Sequence, residues 1–217
     1  MRRVSAVLFD LDGVLVESRE ATEHVWLDWA LKNGIDEAAL RSAMHGVRSG
    51  DVVRALRPDL DASAEAGEIE RRQAEDVAGL RAIPGAGEAL RALKGDRVAV
   101  VTSGTRPLAL ARLAAVGIEP PAVTVFADDV ERGKPDPEGY LTAARRLGAD
   151  PAEALVVEDA PPGIEAGRAA GMATVAVTST HAPDELRGAD VVLESLDELP
   201  GLLAREFDAA QVLELQH

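Results

Sequence analysis

Six short apolar runs recur along the chain, at residues 4–9, 97–102, 123–126, 154–157, 173–177 and 190–193. A strand with no polar face must be covered on both sides, which suits a parallel sheet with helices on each surface. Helical patterns lie between most of these runs. Strand and helix in alternation predict a doubly wound α/β sheet.

The intervening helices carry end signals. Thr105 is placed to cap a helix that ends before Gly117. Asp136 and Pro137 open another, which Gly148 closes. Pro161-Pro162 opens a third that stops near Gly171. A further helix is expected at 87–94. One long segment breaks the alternation: residues 17–81 hold only helical pattern, at 21–33, 37–44, 50–56 and 63–80. The expected organisation is an α/β core from residues 1–16 and 82–217 with an all-helical insert at 17–81. Trp26 and Trp29 share a helix face and are expected to pack within the insert.

The 217 residues suffice for one substantial core with a small accessory domain. The formal net charge of −15 argues against nucleic acid and anionic membranes as partners. An anionic small molecule would therefore need local cations, a metal or aligned backbone N–H groups. The chain has no cysteine, which removes disulfides and thiolate chemistry and suits a reducing cytoplasm. Nothing resembles a signal peptide, and no apolar run approaches the ~20 residues that span a bilayer. A cytoplasmic protein is expected, with a monomer favoured over an oligomer.

The chemistry gathers where the runs end. The first stops at Asp10-Leu11-Asp12-Gly13, two carboxylates that an extended chain points the same way. The second ends Val101-Thr102-Ser103-Gly104-Thr105, where hydroxyls and the N–H groups of a helix start form an anion cradle. Lysine occurs only at 32, 94 and 134. Lys134 is held extended by the proline after it, in Gly133-Lys134-Pro135, and reads as a placed cation. The fourth run ends in Glu158-Asp159. Ligands of open α/β sheets bind beyond such carboxyl ends. Four carboxylates converging there would repel one another without a cation, and an all-oxygen donor set indicates a hard one, most simply Mg²⁺. Metal, lysine, hydroxyl and helix N-termini describe a phosphate site, where a carboxylate serves as nucleophile.

These four motifs in this order resemble the haloacid dehalogenase superfamily of phosphohydrolases, over residues 4–200. The resemblance implies that Asp10 attacks phosphorus and becomes an aspartyl phosphate. Asp12 would protonate the leaving alcohol and then activate water. Asp10, the backbone carbonyl of Asp12 and Asp159 would bind Mg²⁺, with Glu158 a further ligand or a partner behind them. Thr102 and Lys134 would hold the phosphoryl oxygens, with Ser103 and Gly104 beside them, and the Lys134–Pro135 bond is expected to be cis.

The insert resembles the helical cap of one branch, similar to 2-deoxyglucose-6-phosphatases and glycerol-3-phosphatases. Its loop from His45 to Asp51 is expected to close over the core and read the leaving group through His45 and Arg48. His24 is expected to be structural or exposed. A β-phosphoglucomutase-like phosphotransferase is the nearest alternative. Thr22 stands where the mutase carries a cap histidine, and the mutase's cap lysine is missing, so water is favoured as acceptor. A dehalogenase would not need Asp12 or Asp159, and a non-catalytic protein of the same fold would not need every motif filled. The expected activity is Mg²⁺-dependent hydrolysis of a small phosphorylated sugar or polyol.

Overall fold

A computed structural model describes residues 2–44 and 46–213. In chain order the elements are β1 (Arg2–Arg3), β2 (Ala6–Phe9), β3 (Val16–Glu17), α1 (Arg19–Lys32), α2 (Glu37–Met44), α3 (Ser49–Leu56) and α4 (Ala62–Glu75). Then come β4 (Arg81–Ala82), α5 (Ala86–Arg91), β5 (Val98–Val101), α6 (Arg106–Ala115), β6 (Val123–Val125) and α7 (Glu138–Leu147). The chain continues through β7 (Ala154–Glu158), α8 (Pro161–Ala169), β8 (Ala173–Val177), β9 (Val191–Leu193), α9 (Leu199–Glu206) and β10 (Phe207–Asp208).

The six apolar runs form one parallel sheet in the order β6-β5-β2-β7-β8-β9. Every side chain of β2 is fully buried, and the pleat divides them between two layers. Val7 and Phe9 join a large cluster with Val98, Val100, Leu155 and Val157. Ala6 and Leu8 face the opposite layer, with Ala99, Val156 and Tyr140. This two-sided burial is why β2 and β5, at the centre of the sheet, carry no polar residue. The α/β fold class expected from the sequence is therefore the one observed.

The helix ends hold to within a few residues. Gly117, Gly148 and Gly171 all take positive φ just past α6, α7 and α8. Asp136 Oδ1 accepts the Glu138 N–H at 3.0 Å from one residue before the cap position, which Pro137 takes. The helix expected at 87–94 is α5, which starts at Ala86 and stops at Arg91. The pattern expected at 63–80 stops at Glu75, because Gly79 turns the chain with φ 84°. That turn leads into a feature missing from the sequence reading. β3 and β4 pair antiparallel, Val16 with Ala82 and Glu17 with Arg81. The two passages between the helical segment and the sheet thus lie side by side. Two-residue strands show no periodicity to read.

Helices α1–α4 bury their own cluster, built on Val25, Trp26, Trp29, Leu40, Val53 and Ile69. The two tryptophans meet edge to face with centroids 5.4 Å apart, and Trp29 Nε1 donates to Glu65 at 2.7 Å. The chain end returns to the sheet layer through Leu202, Leu203, Phe207 and Val212, and β10 pairs with β1. Leu215 lies outside the described residues. Among the described residues, no helix is long and apolar enough to cross a membrane.

Candidate active site

Three adjacent strands deliver side chains to one edge of the sheet. Asp10 follows β2, Thr102 follows β5, Glu158 ends β7 and Asp159 follows it. Lys134 arrives on the loop before α7, and its peptide bond to Pro135 is cis, as expected. All five side chains are buried. Asp10, Glu158 and Asp159 each offer an oxygen within 4.8 Å of the others.

Lys134 Nζ is enclosed by acceptors, donating to Asp10 Oδ1 at 2.5 Å, Glu158 Oε1 at 2.6 Å and the Val101 carbonyl at 3.2 Å. An ammonium has three protons, and all three are used. Burial opposes the ammonium, but the Asp10 and Glu158 carboxylates outweigh it and raise its pKa above the lysine norm. Burial pushes the Asp10 carboxyl up to about 7; Lys134 pulls it down, while Glu158 and Asp12 add to the rise. Burial also lifts Asp159 well above the carboxylate range, helped by Glu158 and Asp10. The Thr180 hydroxyl donates to Asp159 and works against that rise. The cluster thus gathers more carboxylate than its one lysine compensates.

Glu158 differs from its neighbours. Oε1 accepts from Lys134 and from the Tyr140 hydroxyl at 2.7 Å. Oε2 accepts the N–H groups of Asp159 and Ala160 at 3.0 and 3.3 Å. A carboxylate offers about four lone-pair sites, and four donors occupy them. Glycine makes room for this arrangement: a Cβ on Gly163 would lie 1.7 Å from Glu158 Oε1. Gly13 does the same for Asp159, with φ 81° and a Cβ position 2.1 Å from Oδ2.

Asp12 turns away from this cluster. Its Oδ2 pairs with Arg112 Nη1 at 2.6 Å and its Oδ1 accepts from Ser18 Oγ at 2.6 Å. Arg112, on α6, is itself buried and also donates from Nη2 to Thr22 at 2.8 Å and Gln73 at 3.2 Å. Asp10, Asp12, Asp159, Thr102, Ser103 and Gly104 share the lining of one cleft with Arg112, Thr22, Gln73 and Trp26. Its internal volume is about 120 Å³.

At the anion cradle expected before α6, three backbone N–H groups are taken from within the protein. The Gly104 N–H goes to Thr102 Oγ1 at 3.0 Å, the Thr105 N–H to Glu70 at 3.1 Å, and the Arg106 N–H to Asp128 at 2.8 Å. Thr105 takes the cap position, yet its hydroxyl donates to Glu70 rather than capping α6. Glu70 and Asp128 are carboxylates drawn to the positive end of a helix. Arg48 does not line the cleft beside Asp10. Its guanidinium instead reaches the carbonyls of Val130 and Glu131 at 3.3 and 2.8 Å and pairs with Asp51. It bridges the helical segment to a loop of the sheet domain.

Ser103, in the cleft lining, gives its hydroxyl to the Gly46 carbonyl at 3.0 Å, another bridge of this kind. His24 is exposed and 3.8 Å from Asp76. His45 lies outside the described residues. Arg112, Gln73, Ser18, Tyr140 and Thr180 escaped sequence reading, because each stands alone in an otherwise ordinary helix or loop.

The comparisons with known proteins agree with this geometry. The profile of the haloacid dehalogenase-like hydrolases matches residues 4–171. Hexitol phosphatase A of Escherichia coli (strain K12) is 39% identical over 202 residues, covering 91% of this chain and 94% of the relative. The 2-deoxyglucose-6-phosphate phosphatase 2 of Saccharomyces cerevisiae (strain ATCC 204508 / S288c) is 34% identical, covering 90% and 89%. The crystal structure of a β-phosphoglucomutase from Clostridium difficile superposes with a TM-score of 0.78, covering 90% and 93%, at 22% identity, a likeness of fold alone. With the motifs filled and the match running through most of its length, this chain belongs to the haloacid dehalogenase-like hydrolases.

Proposed function

We propose that this phosphatase hydrolyses a small phosphorylated sugar or polyol, with Mg²⁺ and through an aspartyl phosphate on Asp10. The observation that carries the reading is the buried Asp10 carboxylate, set between Lys134 and Asp159 and lining a cleft. Residues 1–16 and 82–217 are assigned the chemistry, and 17–81 the reading of the leaving group.

The donor set fits a hard divalent cation. It is all oxygen, and its buried carboxylates outnumber the lysine between them. Asp10, Asp159 and the Asp12 backbone carbonyl are assigned to hold it. Glu158, with its lone pairs occupied, is assigned to fixing Lys134. When bound, the ion supplies charge stabilisation to the phosphoryl oxygens.

The rest is done by the chain's own groups. A carboxylate oxygen of Asp10 forms a bond to phosphorus as the ester P–O bond breaks. The leaving alkoxide takes a proton from Asp12. Asp12 then removes a proton from water as the water oxygen attacks phosphorus. The P–O bond to Asp10 breaks, releasing phosphate and restoring the carboxylate. Thr102 and Lys134 are assigned to the phosphoryl oxygens. The Arg112 pair suits the second half, where Asp12 accepts a proton; the first half requires that pair to open. Thr22 favours water as acceptor, since the cleft has a hydroxyl held by Arg112 where the mutase carries an imidazole.

The test is phosphate release from p-nitrophenyl phosphate and from sugar and polyol phosphates, with Mg²⁺ or with chelator. Turnover that needs Mg²⁺ is expected. Undiminished turnover in chelator contradicts the metal assignment. Conversion of glucose 1-phosphate to glucose 6-phosphate without phosphate release would replace hydrolysis with transfer.

A further inference from the structure

Gln73 sits on α4 with only 3% of its surface exposed and lines the cleft that Asp10 and Asp12 share. Its two amide arms differ. Oε1 accepts from Arg112 Nη2 at 3.2 Å. Nε2 has no hydrogen-bond partner, the one such atom among the buried side-chain nitrogens and oxygens of the described residues. A guanidinium only donates, so the arm facing Arg112 must be the oxygen. The amide cannot be turned over to relieve the nitrogen. A buried amide N–H left unpaired costs about 1–3 kcal/mol. Its partner must be an acceptor, and the open space that Gln73 borders is the cleft.

The chemistry of that acceptor is limited. Carboxylates outnumber guanidiniums in the lining, and Arg112 is already paired with Asp12. Arg19, the other guanidinium, donates to the Ser179 carbonyl. A second anionic group on the substrate would find carboxylates rather than cations. A neutral hydroxyl oxygen fits, and the Thr22 hydroxyl beside it and the Trp26 ring make the same wall suited to a polyhydroxy chain.

Resting on the phosphatase reading above, we propose that Gln73 is a specificity-determining residue. Its Nε2 donates to a hydroxyl of the sugar or polyol leaving group. Arg112 fixes the amide orientation, so the same arginine that holds Asp12 also sets which arm meets the substrate.

The test compares kcat/KM for two kinds of ester in wild type and Gln73→Met. One is the best substrate among sorbitol 6-phosphate, 2-deoxyglucose 6-phosphate and glycerol 1-phosphate. The other is n-hexyl phosphate, an alkyl ester that needs Asp12 as the polyol esters do but whose leaving group carries no further oxygen. The polyol-to-hexyl ratio should fall about tenfold in the variant, the worth of one hydrogen bond. The ratio cancels both the fraction of enzyme folded and any change at Asp12, so a destabilised variant still reports. A ratio within twofold of wild type overturns the proposal. A wild type that hydrolyses n-hexyl phosphate but none of the three polyol and sugar esters overturns the sugar-phosphatase reading and this proposal with it.

Discussion

Arg112 Nη1 stands 2.6 Å from Asp12 Oδ2, while Nη2 of the same guanidinium reaches Thr22 on α1 and Gln73 on α4. One buried arginine of the sheet domain therefore ties a carboxylate beside Asp10 to two helices of the insert. Replacing it by methionine should lower kcat for every ester by about 10²-fold, because Asp12 loses its fixed position. Arg112→Lys restores the charge but not the fork, and should recover part of that loss and shift the pH–rate profile. Equal kcat and an unaltered profile in Arg112→Met would contradict the positioning role.

Asp12→Ala should slow both alcohol release and breakdown of the phosphorylated enzyme by about 10²–10⁴-fold. Its side chain points to Arg112 and Ser18 rather than into the Asp10–Asp159 cluster, so Mg²⁺ affinity by calorimetry should change little. A large loss of affinity with modest kinetic effect would reverse the assignment.

The acidic cluster predicts a pH-dependent response to metal. The folded pKa of Asp10 is raised from 3.8 to about 7, chiefly by burial, and Asp159 is raised as well. A raised carboxyl contributes stability that is complete below its unfolded pKa and is lost as pH climbs through the folded value. That window runs from about pH 4 to 7 for Asp10. A divalent ion binds the ionised form, so the gain in Tm from Mg²⁺ should grow from pH 5 to pH 8. Calorimetry in Mg²⁺ and in chelator measures it. A gain that shrinks with rising pH would contradict the prediction.

Lys134→Met removes the cation between Asp10 and Glu158. Breaking a buried pair in this way costs about 3–5 kcal/mol. In chelator the loss should be largest at pH 8 and smaller at pH 5, where Asp10 takes up a proton. Denaturant unfolding at the two pH values reads the difference, and equal losses would contradict the electrostatic account.

Arg48 has partners that the sequence did not reveal. A basic residue in a cap loop invites a substrate role, but its donors meet the carbonyls of Val130 and Glu131, 82 and 83 residues away. The partners of the N–H groups before α6 were hidden for the same reason. The donors were legible, but the carboxylates that take the Thr105 and Arg106 N–H groups come from Glu70, in another part of the chain, and from Asp128. Asp10, Thr102 and Asp159 were legible because a strand end is a local signal and the sheet brings strand ends together, and Lys134 because lysine is rare in this chain and a proline follows it. Arg112 carries no such signal. Its role exists only once residues 39 and 90 positions away have folded against it.

Covalent capture on Asp10 tests the central claim most directly. Asp12→Ala incubated with a ³²P-labelled ester and Mg²⁺, quenched in acid and mapped by peptide mass, should carry phosphate on the peptide holding Asp10. Asp10→Asn should carry none, stay folded by circular dichroism and lose turnover. Phosphate on another peptide, or full turnover in Asp10→Asn, would contradict the account.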